Sequence, residues 1–371
     1  MFVEIHFLQN FAPSNLNRDD TGNPKDTDFG GVRRARISSQ CLKRAIRSEP
    51  VFAATTAVET AVRTRYMNRL IADALKQAGK DEAQAQAAAN AFATQYSKLD
   101  KDHTAVLIYL SRSEAREISA RLLEKWDEVA AAALKDGKNP VIETIAKDLF
   151  KTLKNRTSAP DIALFGRMLA EKPDLNIDAA CQVAHAISTH RVSMDMDFYT
   201  AVDDLSRDDE TGAGMMGVIP YNSACFYRYA RLDWDLLVKN LGGDGGLARR
   251  TVEGFLRAAI VAVPTGKQNS FAAQNPPDFC LGVVRRDGES WSLANAFEKP
   301  VRPDREGGYL APSIAALDAY WGRLCRVYGG GGLRPAALAL DEDAPLNHLK
   351  PALVPDREAW VGAILGGLEQ P

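Results

Sequence analysis

The chain has 371 residues, 46% of them hydrophobic and 25% charged, with a formal net charge of −2. That composition fits an ordinary globular protein with a sizeable core, long enough for two or three structural units or one domain with large insertions. No apolar run approaches the length of a membrane span, and the opening MFVEIHFLQN lacks a signal peptide's basic start and apolar core, so a cytoplasmic protein is expected. Cys41, Cys181, Cys225, Cys280 and Cys325 are scattered and odd in number, which suits reduced thiols and not a disulfide or zinc framework.

Residues 2–9 alternate as a short strand with Val3, Ile5 and Phe7 on one face. The segment that follows, residues 16–47, is the most informative of the chain. Between Gly30 and Ser48 it holds six basic residues and no acidic one. Its last third reads as a helix capped by Ser38 or Ser39, whose hydroxyl accepts an otherwise unpaired backbone N–H. Gln40, Lys43, Arg44 and Arg47 fall on one side of that helix, and Cys41, Leu42, Ala45 and Ile46 on the other, facing inward. Arg33, Arg34 and Arg36 lead into it, and Gly30 and Gly31 would let the backbone approach a ligand closely. A helix start offers free N–H groups and partial positive charge, so the ensemble is expected to bind phosphate.

Residues 53 to about 155 are Ala-rich and helical, with a capping box at Ser111-x-x-Glu114 and a cap followed by proline at Asn139-Pro140. The apolar run Val106–Leu110 interrupts them, and the whole reads as a helical insertion. Residues 181–192 and 218–230 look like strands. His185 and His190 point to opposite sides of a strand, so buried or hydrogen-bonded histidines are expected and not a shared metal. Asp195, Asp197, Asp203, Asp204, Asp208, Asp209 and Glu210 form an acidic run that could hold Mg²⁺, form a solvated loop or meet a basic patch on a neighbouring subunit.

Gly212-Ala-Gly214-Met-Met-Gly217 matches G-x-G-x-x-G by letters but lacks the strand before and helix after that a dinucleotide fold needs. A loop or hairpin tip fits better, and Met215 and Met216 on such a tip suit an apolar contact with a partner or with unstacked bases. A helix is expected over 246–262. Gly266-Lys267-Gln268 fails as a P-loop, leaving a polar loop able to touch a sugar-phosphate backbone. A strand over 278–286 ending at Asp287-Gly288, a helix over 312–327 and a C-terminal helix over 356–368 complete the reading. Strands and helices alternating around a helical insertion indicate an α+β core of ferredoxin-like type. No G-x-S-x-G elbow and no Cys or Ser with a recognisable activating base is present, and no cofactor is expected.

LNRDD, FGG-x-RR-x-RISSQ-x-LKRA, DIALFGRM (161–168), AHAI-x-TH (184–190), FYTAVDDL (198–205), FYRYA (226–230) and LANAFEK (293–299) stand in the order of one family. The chain resembles the CasC-type backbone subunits of the type I-E CRISPR effector complex, Cascade, in the RAMP superfamily. The resemblance implies a hand-like α+β subunit that is a non-catalytic scaffold and not an enzyme. Its modified RRM-like palm would comprise 1–52, 161–192 and 221–371, with helical fingers at 53–160 and a projecting thumb at 193–220. It further implies copies stacked head-to-tail along one CRISPR RNA, contact with other Cascade subunits, a guide displaced at intervals, and pairing of that guide with target DNA. Carried onto these positions, the RNA-contacting set is Arg18, Lys25, Ser38, Gln40, Lys43, Arg44 and Arg47. Met168 would wedge beside a displaced base, and Phe198, Tyr199 and Thr200 would sit at the thumb base. Met215 and Met216 are expected as the thumb wedge, with Lys267 and Gln268 as further RNA contacts.

Overall fold

The computed structural model of the chain describes residues 1–133, 139–201, 215–286 and 288–369. They divide into two units: Met1–Glu49, Gln182–Leu232 and Phe255–Pro371 form the first, Pro50–Cys181 and Asp233–Gly254 the second.

Among the described residues the first unit carries a nine-stranded sheet. Its elements are β1 (Phe2–Ser14), β2 (Asp26–Phe29), β3 (Val32–Ile37), α1 (Ser39–Ser48), β4 (Cys181–Val183), β5 (Ala186–Ser188), β6 (Asp195–Ala201) and β7 (Met215–Asp233), then β8 (Phe279–Arg285), α2 (Leu310–Tyr328), β9 (Leu333–Ala339) and α3 (Arg357–Glu369). The strand order is β9-β8-β1-β7-β5-β3-β2, with β4 and β6 also pairing β7. β1 runs antiparallel to β8, from Phe2 opposite Arg285 to Leu8 opposite Phe279.

The inward face expected for β1 is buried, but so are Glu4, His6 and Leu8 on its other face. Helices cover both. Trp360 of α3 lies 5.9 Å from the Phe7 ring, while Leu8 packs with Ile314, Leu317 and Trp321 of α2. A central strand covered on both sides needs no polar face, which the alternation rule assumes. The polar residues that it does bury are paired. Arg285 Nε donates to Glu4 Oε1 at 2.7 Å. Tyr227 Oη accepts from Leu293 N at 2.8 Å and shares a hydrogen bond with His6 Nδ1, also at 2.8 Å. Burial pushes the His6 imidazole below its ordinary pKa against the pull of Glu4. Burial alone would raise Glu4, but His6 and Arg285 outweigh it and hold the carboxylate low.

β2 and β3 form a two-residue hairpin. Gly30 and Gly31 have φ of +62° and +74°, as a type I′ turn requires. A Cβ on Gly30 would stand 1.7 Å from the Glu298 carbonyl oxygen. Gly30 therefore serves both the turn and its packing, and Gly31 the turn. Arg34, expected to lead into the phosphate site, is turned inward instead. Its side chain is fully buried and its guanidinium bonds the carbonyls of Phe29 at 3.1 Å, Ser188 at 3.1 Å and Phe297 at 2.8 Å. It is a structural clamp, with no reach to a phosphate.

The second unit is helical over Pro50–Thr56, Met67–Gln77, Glu82–Ala93, Arg112–Glu124, Trp126–Ala133 and Pro140–Leu153. Ile71, Phe92, Ile118 and Leu149 belong to its core. The capping box at Ser111 and Glu114 forms, as does the Asn139 cap with Pro140 behind it. Ile108–Leu110, within the apolar run, is a strand paired with Val62–Thr64.

Two predictions follow from this packing. Arg34→Leu removes the guanidinium's bonds to the carbonyls of Phe29, Ser188, Phe297 and Glu298 and should lower unfolding free energy by about 3 kcal/mol or more in urea titration; a loss under about 1 kcal/mol would refute the clamp. The second concerns pH. His6 binds its proton less readily folded than unfolded, so stability is lost as pH falls below the unfolded value near 6.5. Glu4, depressed in the folded chain, adds stability above its unfolded range and loses it in stronger acid. Melting temperature should fall from pH 7 to 5, less steeply in His6→Gln; identical slopes would contradict the assignment.

Candidate nucleic-acid interface

The segment 15–25 organises this surface through its own side chains. Asn15, 1% exposed, donates through Nδ2 to the carbonyls of Gly22 at 3.0 Å and Pro220 at 2.9 Å. Asn17 Oδ1 accepts from Ser38 N at 2.8 Å. Asp19 Oδ1 accepts from Thr21 N and Asn23 N, both at 2.9 Å, closing a tight turn that leaves Arg18 exposed. Lys25 N donates to Asn17 O at 2.8 Å, and Arg36 N to Lys25 O at 2.9 Å. Lys25 and Arg36 thereby line one small cleft with Ser14, Asn17 and Asn222.

α1 begins at this cleft. Ser38 caps it, its hydroxyl accepting from Cys41 N at 3.3 Å. Leu42, Ala45 and Ile46 are buried, each large one contributing about 1.5–3 kcal/mol. Gln40 and Arg44 are exposed, and Lys43 and Arg47 half-buried, so the cationic face lies where the periodicity puts it. The first turn carries no acidic residue. Burial pushes the Cys41 thiol up, despite the nearby positive charges of Lys25 and Arg44.

Ser38 itself is 6% exposed with its hydroxyl committed to the cap, so of the expected contacts it is the least available. The N–H of Ser39 is also taken, by His185 Nδ1 at 2.9 Å. His190, by contrast, stacks on Tyr309 with ring centroids 3.7 Å apart.

The loop 264–274 closes against the same segment. A Cβ on Gly266 would stand 2.3 Å from the Leu16 carbonyl oxygen, which brings Lys267 beside the 15–25 loop. Lys267 adopts a left-handed φ of +51°. Gln268 Nε2 donates to Pro264 O at 2.9 Å, so its amide stitches its own loop. Phe271 packs on Tyr221 with centroids 5.6 Å apart, tying this loop to the root of β7.

Beyond that root, β6 and the start of β7 pair as an arm. Phe198 lies opposite Val218, Tyr199 opposite Gly217 and Thr200 opposite Met216. Every residue of β6 is exposed. Met196, Phe198, Val218 and Met216 share one face, since paired and alternate residues of a ribbon point the same way. Phe198 is 74% and Met216 78% exposed, and an uncovered apolar face of this kind marks a contact surface. On the opposite face the Tyr199 ring lies across Gly217, where a Cβ would meet its Cζ at 2.3 Å. That contact accounts for the third glycine of the G-x-G-x-x-G letters. Gly212, Gly214, the carboxylates from Asp203 to Glu210 and the side chain of Met215 lie outside the described residues.

Met168 stands in the second unit. It is 83% exposed between buried Arg167 and Leu169. Arg167 is held by Glu114 at 2.8 Å, and Gly166 takes a left-handed φ of +77°, so the methionine is displayed by a fixed backbone.

As expected, His185 is a hydrogen-bonded histidine, whereas the roles of Asn15 and Asn17 leave no signal in the sequence. Both asparagines sit in a polar run that offers no periodicity. Ser39, the partner of His185, is 146 positions away, so no local pattern links them.

A family model described as CT1975-like protein matches residues 3–358. No curated protein sequence matches the chain. Among solved structures, a chain of a CRISPR RNA-guided surveillance complex described as pre-nicking is 34% identical, with a TM-score of 0.87 and 99% of each chain covered. A chain of another CRISPR RNA-guided surveillance complex is 30% identical, with a TM-score of 0.78 and the same coverage.

Removing the α1 cap should lower stability. Ser38→Ala is expected to cost about 1 kcal/mol of folding free energy, read by urea denaturation; no loss would mean the hydroxyl is not a cap.

Proposed function

The chain belongs to the CT1975-like protein family, and from that premise we propose that it is a backbone subunit of a CRISPR RNA-guided surveillance complex, of CasC type in a type I-E system. The observation that carries this reading is the cationic surface of the first unit, where Lys25, Arg36, Lys43, Arg44 and Arg47 gather on and around α1 in a chain of net charge −2. Charges placed so hold a phosphate backbone without reading bases. A subunit that must accept any guide needs that kind of contact, and base pairing between guide and target DNA then supplies specificity.

In this reading the first unit is an RRM-like palm. The strand order β8-β1-β7-β5, numbered by chain position, is the 4-1-3-2 order of ferredoxin-like sheets. The helices of the second unit are the fingers, with Met168 as a wedge. The β6–β7 arm is the thumb, with Phe198, Tyr199 and Thr200 near its base and Met215 and Met216 towards its tip. Several copies stack head-to-tail along one CRISPR RNA, a heterologous contact that extends until another subunit caps it. The subunit's role is to hold and kink the guide, not to cut it.

Lys43→Ala with Arg47→Ala should weaken RNA binding similarly for all guide sequences and reduce its salt dependence, measured by titration at several salt concentrations. A loss confined to some sequences would contradict phosphate holding. Met215→Gly with Met216→Gly should leave RNA loading intact and abolish the periodic nucleotide exposure seen by chemical probing. An unchanged probing pattern would remove the wedge.

A further inference from the structure

Methionine is concentrated on the arm. Four of the chain's seven methionines, Met194, Met196, Met215 and Met216, fall within 23 positions, where the chain average would put fewer than one. Met196 is 52% and Met216 78% exposed, whereas Met67, in the core of the second unit, is fully buried. In the β6–β7 register Met196 stands opposite Pro220 and Met216 opposite Thr200. The two thioethers therefore lie at opposite ends of the face whose middle is Phe198 and Val218. Neither belongs to a core cluster of the first unit, so the fold does not need them.

An exposed thioether has a reaction that Leu, Val and Phe lack. A peroxide converts it to the sulfoxide, which makes a flexible apolar side chain polar. We propose that Met196 and Met216 are a reversible oxidation site, and that their sulfoxides switch off the arm's contact face in a chain not yet assembled on RNA. The step transfers one oxygen atom from hydrogen peroxide. Sulfur gives up two electrons, the O–O bond breaks, an S=O bond forms, and the rest of the peroxide leaves as water. Methionine sulfoxide reductases reverse it. The inference rests on the reading of this arm as the guide-contacting thumb and adds a regulation to it.

Folding and contact separate at these two residues. A change on an exposed side chain alters folding free energy by about 0.5 kcal/mol at most. A sulfoxide pressed against an apolar partner, by contrast, is a polar group buried without a bond, and that is costly. Phe198 and Val218 stay apolar between two polar ends, so the face no longer seals. Once the face is covered, peroxide does not reach the sulfurs, and assembly protects what oxidation would otherwise disable.

The test treats the full RNA-free chain with hydrogen peroxide and then removes the oxidant. Dithiothreitol follows, to restore oxidised thiols such as the half-buried Cys41 and Cys325 while leaving sulfoxides. Peptide mass spectrometry should find Met196 and Met216 oxidised and Met67 intact, with melting temperature moved by less than about 2 °C. When a guide RNA is added, loading should persist, but the periodic nucleotide exposure seen by chemical probing should fall at least about fivefold. A pair of methionine sulfoxide reductases, one for each epimer, should restore it. The comparison is Met196→Leu with Met216→Leu, which keeps the face apolar without sulfur; each protein is measured against its own untreated sample. The double variant's pattern should survive peroxide. Equal losses in the two proteins, or a wild-type pattern that peroxide leaves unchanged, would overturn the proposal. Met168 stays in both, so a loss caused there counts against the arm. Failure of the underlying reading looks different: untreated wild type loads no RNA or shows no periodic exposure, which removes the switch with its partner. Should the double variant lack a pattern even untreated, graded peroxide doses on wild type decide. Loss of the pattern must then track sulfoxide at Met196 and Met216, and a loss that precedes both would sink the idea.

Discussion

The first unit depends on a buried cation that binds no ligand. Arg34 brings its guanidinium into the interior and offers its donors to carbonyls 5, 154 and 263 positions away. Burying a guanidinium is costly unless its donors are satisfied, and three chain segments must be in place to satisfy it. The Arg34 bonds form together or not at all, which makes them a strong selector of one arrangement. β3 carries Arg34, ends at Ile37 and runs straight into the Ser38 cap. Fixing β3 therefore fixes where α1 starts and which way its cationic face points.

What was legible in the sequence was local. The α1 periodicity, the Ser111–Glu114 box and the Asn139–Pro140 cap rest on contacts within four residues, and all are present as read. Charge, by contrast, does not announce burial. Arg33, Arg34 and Arg36 look alike as letters. Yet Arg33 is exposed and paired with Asp26 at 2.8 Å, Arg34 is sealed inside, and Arg36 lines the cleft. The difference is strand alternation plus the cover supplied by residues near 297, which no nearby letter reports. Gly30 is a similar case: its missing side chain makes room for a backbone oxygen at position 298.

The arm breaks the rules that the rest of the unit obeys. A two-stranded ribbon is marginal alone, and this one turns an apolar face to solvent. Its stability comes from below, where Asn15 holds the Pro220 carbonyl and Phe271 packs on Tyr221, and from Tyr199 lying over Gly217. Aromatic cover of a glycine supplies packing that the ribbon otherwise lacks. The face carrying Phe198 and Met216 gains nothing from this, so folding alone does not explain its residues.

The same 15–25 segment that anchors the arm also sets the α1 start, through Asn15 towards β7 and Asn17 towards Ser38. The two asparagines are two positions apart, so an adjustment at one is felt at the other within a few ångströms. A ligand seated at the cationic corner would press on the segment that roots the arm. The arm root and the α1 start are thereby joined by a short covalent path, without a long relay through the core. Such coupling is mechanical only if the segment is stiff, and the Asp19 turn, with three donors converging on one carboxylate oxygen, supplies that stiffness.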